Sequence, residues 1–155
     1  MFDHLTALRE ISKGDESAFS CLNNIFVWLH ALDDLIDRDK PHLLSWIIVA
    51  HLQFIETLAN NSFFQRHKAT LLPVLNASAL AYLASEKFRE NESPLYRIGS
   101  QVLKSQYQDL FYTVATLIGG FDHAIAMQQK YRDFDFDPVP KPNHESLLPD
   151  NRPPA

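Results

Sequence analysis

Residues 15–38, DESAFSCLNNIFVWLHALDDLIDR, have the apolar spacing of one long helix. Leu22, Phe26 and Leu29 recur at steps of three and four residues, which places them on one helical face. Asp15 stands where an N-cap is expected, because its carboxylate can accept hydrogen bonds from the first free backbone N–H groups. The second half of the stretch is apolar on most sides, as in helices that pack among others. We therefore predict a buried helix of an all-α protein.

The same spacing continues on both sides of this stretch and predicts further helices. They cover residues 2–13, 42–59, 63–89, 94–118 and 121–132. We expect Gly14 and the pair Gly119-Gly120 to end helices, and residues 60–62 to form a turn and a cap. Pro73 either ends a short first helix or kinks a longer one.

The predicted fold class is all-α, a single bundle of about five to six helices over residues 1–133. The helix over residues 42–59 is apolar on most sides, so we expect it in the middle of the bundle. From residue 133 the composition changes to DFDFDPVPKPNHESLLPDNRPPA, which is rich in proline. Residues 134–155 are therefore predicted to be a flexible, proline-rich tail.

Composition narrows the class of protein. Apolar residues make up 46% of the chain and only 4 residues are Gly, which favours packed helices over a turn-rich β fold. The net charge is −5 with Lys and Arg scattered, so we predict no nucleic-acid binding. The single Cys21 suits a reducing, cytoplasmic location and a place in the core. No apolar run approaches the roughly 20 residues of a membrane span, so we predict no transmembrane segment. The N-terminal stretch MFDHLTALRE has no basic region followed by an apolar one, so we predict no signal peptide.

An acidic motif, Asp33, Asp34 and Asp37, ends the long helix. Asp33 and Asp37 are four residues apart and lie on one helical face, where they repel each other. The helix dipole also disfavours negative charge at a C-terminus. A bound cation would relieve both effects, and Mg²⁺ favours one or two carboxylates together with phosphate oxygens. The motif therefore indicates a Mg²⁺ site; the alternative is a solvated acidic helix end, partly neutralised by Arg38 and Lys40.

The stretch FVWLHALDDLID, residues 26–37, resembles the first aspartate-rich motif of the class I isoprenoid synthases. That superfamily contains the terpene cyclases, prenyltransferases and squalene/phytoene synthases. In it, an aromatic-rich helix ends in D-D-x-x-D, whose carboxylates hold Mg²⁺ against a prenyl diphosphate. The resemblance implies that Asp33 and Asp37 are metal ligands and that Asp34 is an alternative or supporting ligand. Because a full synthase is a much longer chain, this one would be a short or degenerate member.

The same family has a second metal-binding stretch on a facing helix. Terpene cyclases often place Asn, Ser or Thr, and Glu there at positions i, i+4 and i+8. Gln101, Ser105 and Asp109 have this spacing, with Gln in place of Asn and Asp in place of Glu. The resemblance implies that these three complete the metal site. The alternative is a polar stripe of an exposed helix.

Five further residues are candidates for binding the prenyl substrate. Arg97 and Lys104 could contact the diphosphate, although surface cations are commonly just solvated. His30 lies three residues before the motif and could donate to the diphosphate, or be a core histidine bonded to a carboxylate. Phe26 and Tyr107 could line the site with their rings or belong to the core.

The acidic motif indicates Mg²⁺ as the cofactor, and the resemblance implies Mg²⁺-dependent binding of a prenyl phosphate or diphosphate. Ionisation or transfer of the prenyl group would follow from the resemblance. A short bundle encloses little space, so a homo-oligomer or a shallower cleft would have to hold the chain. The alternative is a non-enzymatic helical protein-interaction module, with stripes such as Phe63-Phe64 or Phe111-Tyr112 exposed to a partner.

Overall fold

The computed structural model describes residues 4–37 and 44–132, and these are helical apart from short turns. The helices are α1 (His4–Ile11), α2 (Glu16–Asp37), α3 (Leu44–Asn60), α4 (Ser62–Arg89), α5 (Pro94–Lys104) and α6 (Gln108–Tyr131), with a 3-10 turn, Ser105–Tyr107, between the last two. The prediction of an all-α bundle of about five to six helices is confirmed. The tail predicted over residues 134–155 lies outside the described residues.

Gly14 and Asp15, between α1 and α2, have the conformation and the capping role that the sequence predicted. Gly14 has φ 82°, a left-handed conformation that glycine adopts without strain, and it lies in the turn after α1. The Asp15 carboxylate accepts a hydrogen bond from the Ala18 backbone N–H at 2.9 Å. This bond satisfies one of the free donors at the helix N-terminus. The chain therefore reverses between α1 and α2 without leaving that donor unpaired.

Helix α4 is the centre of the bundle and packs against α2, α3, α5 and α6. Its side chains Phe63, Phe64 and Leu71 are fully buried against Leu22 and Ile25 of α2 and Leu110 and Val114 of α6. Helix α1 packs on α2 and α6 and closes one side. Phe63, Phe64 and Phe111 belong to the core. The prediction that the stripes Phe63-Phe64 and Phe111-Tyr112 could be exposed to a partner is therefore wrong for these three residues. Cys21 is buried there as predicted, and burial raises the pKa of its thiol to about 12.

The second half of the chain departs from the predicted helix boundaries. Helix α4 continues through Pro73, so the short first helix is wrong. The helix predicted over residues 94–118 is interrupted by the 3-10 turn, which the apolar spacing did not indicate. Gly120 has φ 76° and ψ −175° within α6, so the helical path breaks at the predicted glycine pair although helix resumes beyond it.

The placement of α3 corrects a prediction. It packs on α2 and α4 through Ala50, Phe54 and Thr57, but its opposite face is exposed. It therefore lies at the edge of the bundle rather than in the middle. A helix that is apolar all round can be buried on all sides or on one face only, and the sequence pattern does not distinguish these two cases.

The helical run Pro94–Tyr131 is long and apolar enough to cross a membrane by length and composition alone. Core helices of soluble proteins pass the same test. Leu110, Phe111 and Val114 of this run lie in the core described above. The absence of a transmembrane segment stays a prediction.

Asn61 joins three elements and offers a test of the fold. Its side-chain oxygen accepts from the Phe64 backbone N–H at 2.9 Å, which caps α4, and its amide donates to the Ser17 carbonyl of α2 at 2.9 Å. Asn61→Ala removes both bonds, so we expect the free energy of unfolding to fall by about 1–3 kcal/mol. Urea denaturation measures the change. Asn60→Ala is the control, because Asn60 bonds only to Glu56 on the surface among described residues. Equal stability of the two variants would contradict the capping role.

Candidate functional site

A cavity of about 250 Å³ lies between α2, α4, α5 and the 3-10 turn. On the side of α2 its wall is formed by three apolar side chains beside His30 and Asp33, and on the side of α5 it carries polar groups. The lining residues are Trp28, Leu29, His30, Leu32, Asp33, Ser78, Ala79, Tyr82, Gln101, Lys104, Ser105 and Tyr107. A small concave site with few polar groups among apolar ones is the usual form of a ligand pocket. We treat this cavity as the candidate site.

Asp33 is the acidic group of the cavity. Its Oδ1 atom accepts a hydrogen bond from the Tyr82 hydroxyl at 2.7 Å and pairs with the Lys104 ammonium at 2.7 Å. Within the described chain, no hydrogen bond or ion pair ends on Oδ2. One oxygen is thus held by the protein, while the other remains available for a ligand or a metal ion.

The surroundings lower the pKa of Asp33. Partial burial acts to raise the pKa, but the hydrogen bonds from Lys104 and Tyr82 and the charges of Lys104 and His30 outweigh it. Asp33 is therefore ionised at neutral pH. Because the folded-state pKa is the lower one, its contribution to stability is complete above the unfolded pKa of about 3.9 and is lost as the pH falls through the folded value.

Tyr82→Phe tests this account of Asp33. The variant removes one of the two donors to Oδ1, so we expect the pKa of Asp33 to rise towards its ordinary value. An NMR titration of the side-chain carboxyl measures the shift. Tyr96→Phe is the control, because Tyr96 is exposed on α5 and packs on Phe88 instead. An unchanged Asp33 titration in Tyr82→Phe would mean that the phenol does not stabilise the carboxylate.

His30 lies one turn before Asp33 on α2 and lines the same cavity. Its Nδ1 lies 3.0 Å from the Phe26 carbonyl. Because a carbonyl only accepts, Nδ1 carries the hydrogen in this contact. The prediction allowed a core histidine bonded to a carboxylate; the bond is to the backbone instead, and the ring also packs on Phe26 at 4.1 Å.

The polar side of the cavity comes from the end of α5 and the 3-10 turn. Gln101, Lys104, Ser105 and Tyr107 all lie on the cavity wall. The Lys104 ammonium also lies 5.9 Å from the centre of the Tyr82 ring. Helix α5 reaches this position because its small residues allow a close approach to α4. The Ser100 hydroxyl donates to the Ser85 carbonyl at 2.8 Å, and Gly99 leaves room for the Phe88 ring.

The other predicted site residues do not line the cavity. Asp109 follows the 3-10 turn and pairs with Arg132 at 3.8 Å, so the i, i+4, i+8 stripe is not continuous. Arg97 is exposed on α5, and Phe26 faces a separate small cavity in the core beside Phe111. Asp34 is half-buried on α2 outside the cavity wall, and the side chain of Asp37 lies outside the described part of the structure.

A preformed metal cluster is not visible among the described residues, since no three His, Cys, Asp or Glu side chains converge there. Asp33 is the only carboxylate among the described residues of the cavity wall. A metal ion at this position would take most of its remaining ligands from water and from the bound molecule. Mg²⁺ commonly binds in this way, through one or two carboxylates and substrate phosphates.

Sequence reasoning missed the contribution of α4. Tyr82 and Ser78 face the cavity, and the Ser78 hydroxyl donates to the Val74 carbonyl at 2.9 Å and lies 3.4 Å from the Gln106 carbonyl of the turn. Neither residue belongs to a motif, and only the packing of α4 against α2 and α5 brings them to Asp33. Trp28 forms part of the apolar wall and stacks on Phe54, with the two ring centres 3.9 Å apart.

The chain was compared with family models, with curated proteins and with solved structures. None of the three comparisons finds a match.

Proposed function

We propose that the cavity binds a short prenyl phosphate or diphosphate together with Mg²⁺. The observation that carries this proposal is the position of Asp33. It is an ionised carboxylate with one oxygen held by Tyr82 and Lys104, and it lies at the edge of an apolar wall. An amphiphilic anion needs both surfaces, a polar end for its phosphate and an apolar end for its chain.

Different residues of the cavity would bind the metal ion, the phosphate and the prenyl chain. Oδ2 of Asp33 would coordinate Mg²⁺, and Mg²⁺ would neutralise the phosphate that otherwise repels the carboxylate. Lys104 would turn from Asp33 towards a phosphate oxygen, with the Gln101 amide as a hydrogen-bond donor beside it. Leu29, Leu32 and other apolar side chains of the wall would cover the prenyl chain.

The size of the cavity favours a short chain. Its volume of about 250 Å³ lies just below the roughly 300 Å³ at which typical ligand pockets begin. We therefore favour a ten-carbon chain over longer ones, with part of the chain left at the open side.

A thermal-shift experiment tests the metal and the site together. Millimolar Mg²⁺ with geranyl diphosphate should raise the melting temperature by about 5–10 °C if the ligand is present at about a hundred times its Kd. Asp33→Asn should remove this shift. Asp122→Asn is the control, because Asp122 is exposed on α6 and does not line the cavity. No shift in the native protein, or an equal shift in both variants, would overturn the proposal.

The interaction module remains the second candidate, favoured by the outward face of α5. Leu95, Ile98 and Val102 are spaced three and four residues apart and are exposed, while the buried Ser100 lies on the inner face. An interaction module would tolerate Asp33→Asn without loss of function, because that residue lies in the cavity on the opposite side of α5.

A further inference from the structure

Two cavities adjoin each other in the bundle and share one wall residue, Tyr107. The larger is the candidate site, and the smaller, of about 20 Å³, lies between α1, α2, the 3-10 turn and α6. Among the described residues, Tyr107 is the only one that lines both cavities. The other side chains around the smaller cavity are mostly buried and apolar, and they include Ala7, Leu8, Ile11, Phe26 and Phe111.

The wall between the cavities is one side chain thick at Tyr107. On the side of α2 it is two rings thick, because His30 lines the larger cavity, Phe26 lines the smaller one, and their ring centres are 4.1 Å apart. The bond from His30 to the Phe26 carbonyl fixes this side of the wall. On the other side the chain passes from one cavity to the next, since Ser105 lines the larger and Gln108 the smaller. Tyr107 lies between these two residues and separates the spaces by itself.

Tyr107 lies at the end of the larger cavity away from the proposed phosphate site. Asp33, bonded to Tyr82, marks the polar end. The Gln106 carbonyl, next to Tyr107 in the chain, is 3.4 Å from the Ser78 hydroxyl. Ser78 precedes Tyr82 by one turn of α4, which is about 6 Å along the helix. The apolar end of a ligand with its phosphate at Asp33 would therefore point towards Tyr107.

The smaller cavity is too small to hold a prenyl unit by itself. A single water molecule needs about 10–15 Å³, so a volume of about 20 Å³ holds little more than one. The Tyr107 ring packs edge-on against Phe111, with the two ring centres 5.5 Å apart, and Phe111 lines the smaller cavity. Removal of the phenol would therefore join the two spaces, with Phe111 on the far side.

We propose that Tyr107 sets the length of the prenyl chain that the cavity accepts, and that the smaller cavity is an extension closed off by the phenol. Tyr107 has this role only if a prenyl ligand binds at Asp33, so the selection of chain length rests on the proposed function. In the native protein the chain ends at the phenol. With a smaller residue at this position, the chain continues towards Leu8 and Ile11 of α1.

Calorimetry with geranyl and farnesyl diphosphate, each with Mg²⁺, tests the selection. The native protein should bind both with similar affinity, because the additional prenyl unit of the longer chain stays outside. Tyr107→Ala should bind farnesyl diphosphate at least about tenfold more tightly than geranyl diphosphate, since two or more further CH₂ groups become buried. Tyr107→Leu, which keeps more of the packing, should show a smaller preference of the same sign.

Tyr112→Ala is the matched control for the calorimetry. Of the two cavities, Tyr112 lines only the smaller, so this variant enlarges that cavity and leaves the wall at Tyr107 intact. It should show no preference for the longer chain. An equal preference in Tyr112→Ala, or none in either Tyr107 variant, would overturn the role of Tyr107 while leaving prenyl binding in place. If the native protein binds neither ligand, the proposed function itself is overturned.

Xenon tests the wall without any prenyl ligand, because it enters apolar cavities in proteins. Under xenon pressure, the NMR signals of Leu29 and Ala79 beside the larger cavity should shift in the native protein, and those of Leu8 and Ile11 should not. In Tyr107→Ala all four should shift, whereas Tyr107→Phe keeps the ring and should behave as the native protein. Shifts at Leu8 and Ile11 in the native protein, or none there in Tyr107→Ala, would show that Tyr107 does not separate the cavities.

Discussion

Geranyl diphosphate is expected to bind this protein about a thousandfold more tightly than inorganic pyrophosphate when Mg²⁺ is present. Burying about half of its ten carbons at roughly 0.8 kcal/mol each contributes about 4 kcal/mol. The surface that would cover them is the apolar wall of the cavity, which includes Trp28, Leu29 and Leu32. The gain should level off for chains longer than the cavity can cover.

Isothermal calorimetry with pyrophosphate, geranyl diphosphate and farnesyl diphosphate measures this gain directly. Leu32→Asn keeps the size of the side chain but makes the wall polar, so the advantage of the prenyl ligands should shrink. Leu80→Asn makes the same change at a residue that is 68% exposed on α4 and outside the cavity, and the advantage should stay. Equal affinity for all three ligands would show that no apolar surface adjoins the phosphate site.

Phe54→Ala is expected to lower the free energy of unfolding by about 3–5 kcal/mol. Phe54 is 8% exposed and stacks on Trp28 with ring centres 3.9 Å apart and planes 4° from parallel. The variant removes a large buried side chain and leaves a space between α2 and α3 that neighbours cannot fill without moving. Because Trp28 lines the cavity on its other side, ligand affinity should fall as well.

Phe121→Ala is the matched control for this change. Phe121 is 77% exposed on α6, so the same substitution should alter the free energy of unfolding by no more than about 0.5 kcal/mol. Urea denaturation of the two variants against the native protein gives the comparison. A loss of less than about 1 kcal/mol in Phe54→Ala would mean that the stack between α2 and α3 does not hold the helices together.

The helices could be predicted from the sequence because local rules place them. The N-caps at Asp15 and Asn61 bond to backbone groups three residues later, and the left-handed glycines change the path of the chain where they stand. The neighbouring sequence is therefore sufficient to predict their effect. The 3-10 turn at Ser105–Tyr107 could not be predicted in this way. It lies where the Gln106 carbonyl is 3.4 Å from the Ser78 hydroxyl, a contact made by tertiary packing.

Part of the candidate site could also be predicted, because residues close together in the sequence have a fixed arrangement on a helix. His30 and Asp33 are three residues apart, as are Gln101 and Lys104, so each pair shares a helical face and reaches the same cavity. Asp109 was expected beside Gln101 and Ser105 from the i, i+4, i+8 spacing, but the 3-10 turn intervenes and Asp109 does not line the cavity. The partners of Asp33 could not be predicted, because Tyr82 and Lys104 lie 49 and 71 residues away along the chain.

The proposed Mg²⁺ site at Asp33 can be tested most directly by paramagnetic NMR. Mn²⁺ substitutes for Mg²⁺ and broadens amide signals near its binding site. With geranyl diphosphate present, we predict that substoichiometric Mn²⁺ broadens the signals of Asp33, Tyr82 and Lys104. The signal of Glu16, about 25 Å away along α2 at a rise of about 1.5 Å per residue, should remain sharp. Broadening spread evenly over the protein, or the same pattern in Asp33→Asn, would contradict a metal-assisted prenyl phosphate site in this cavity.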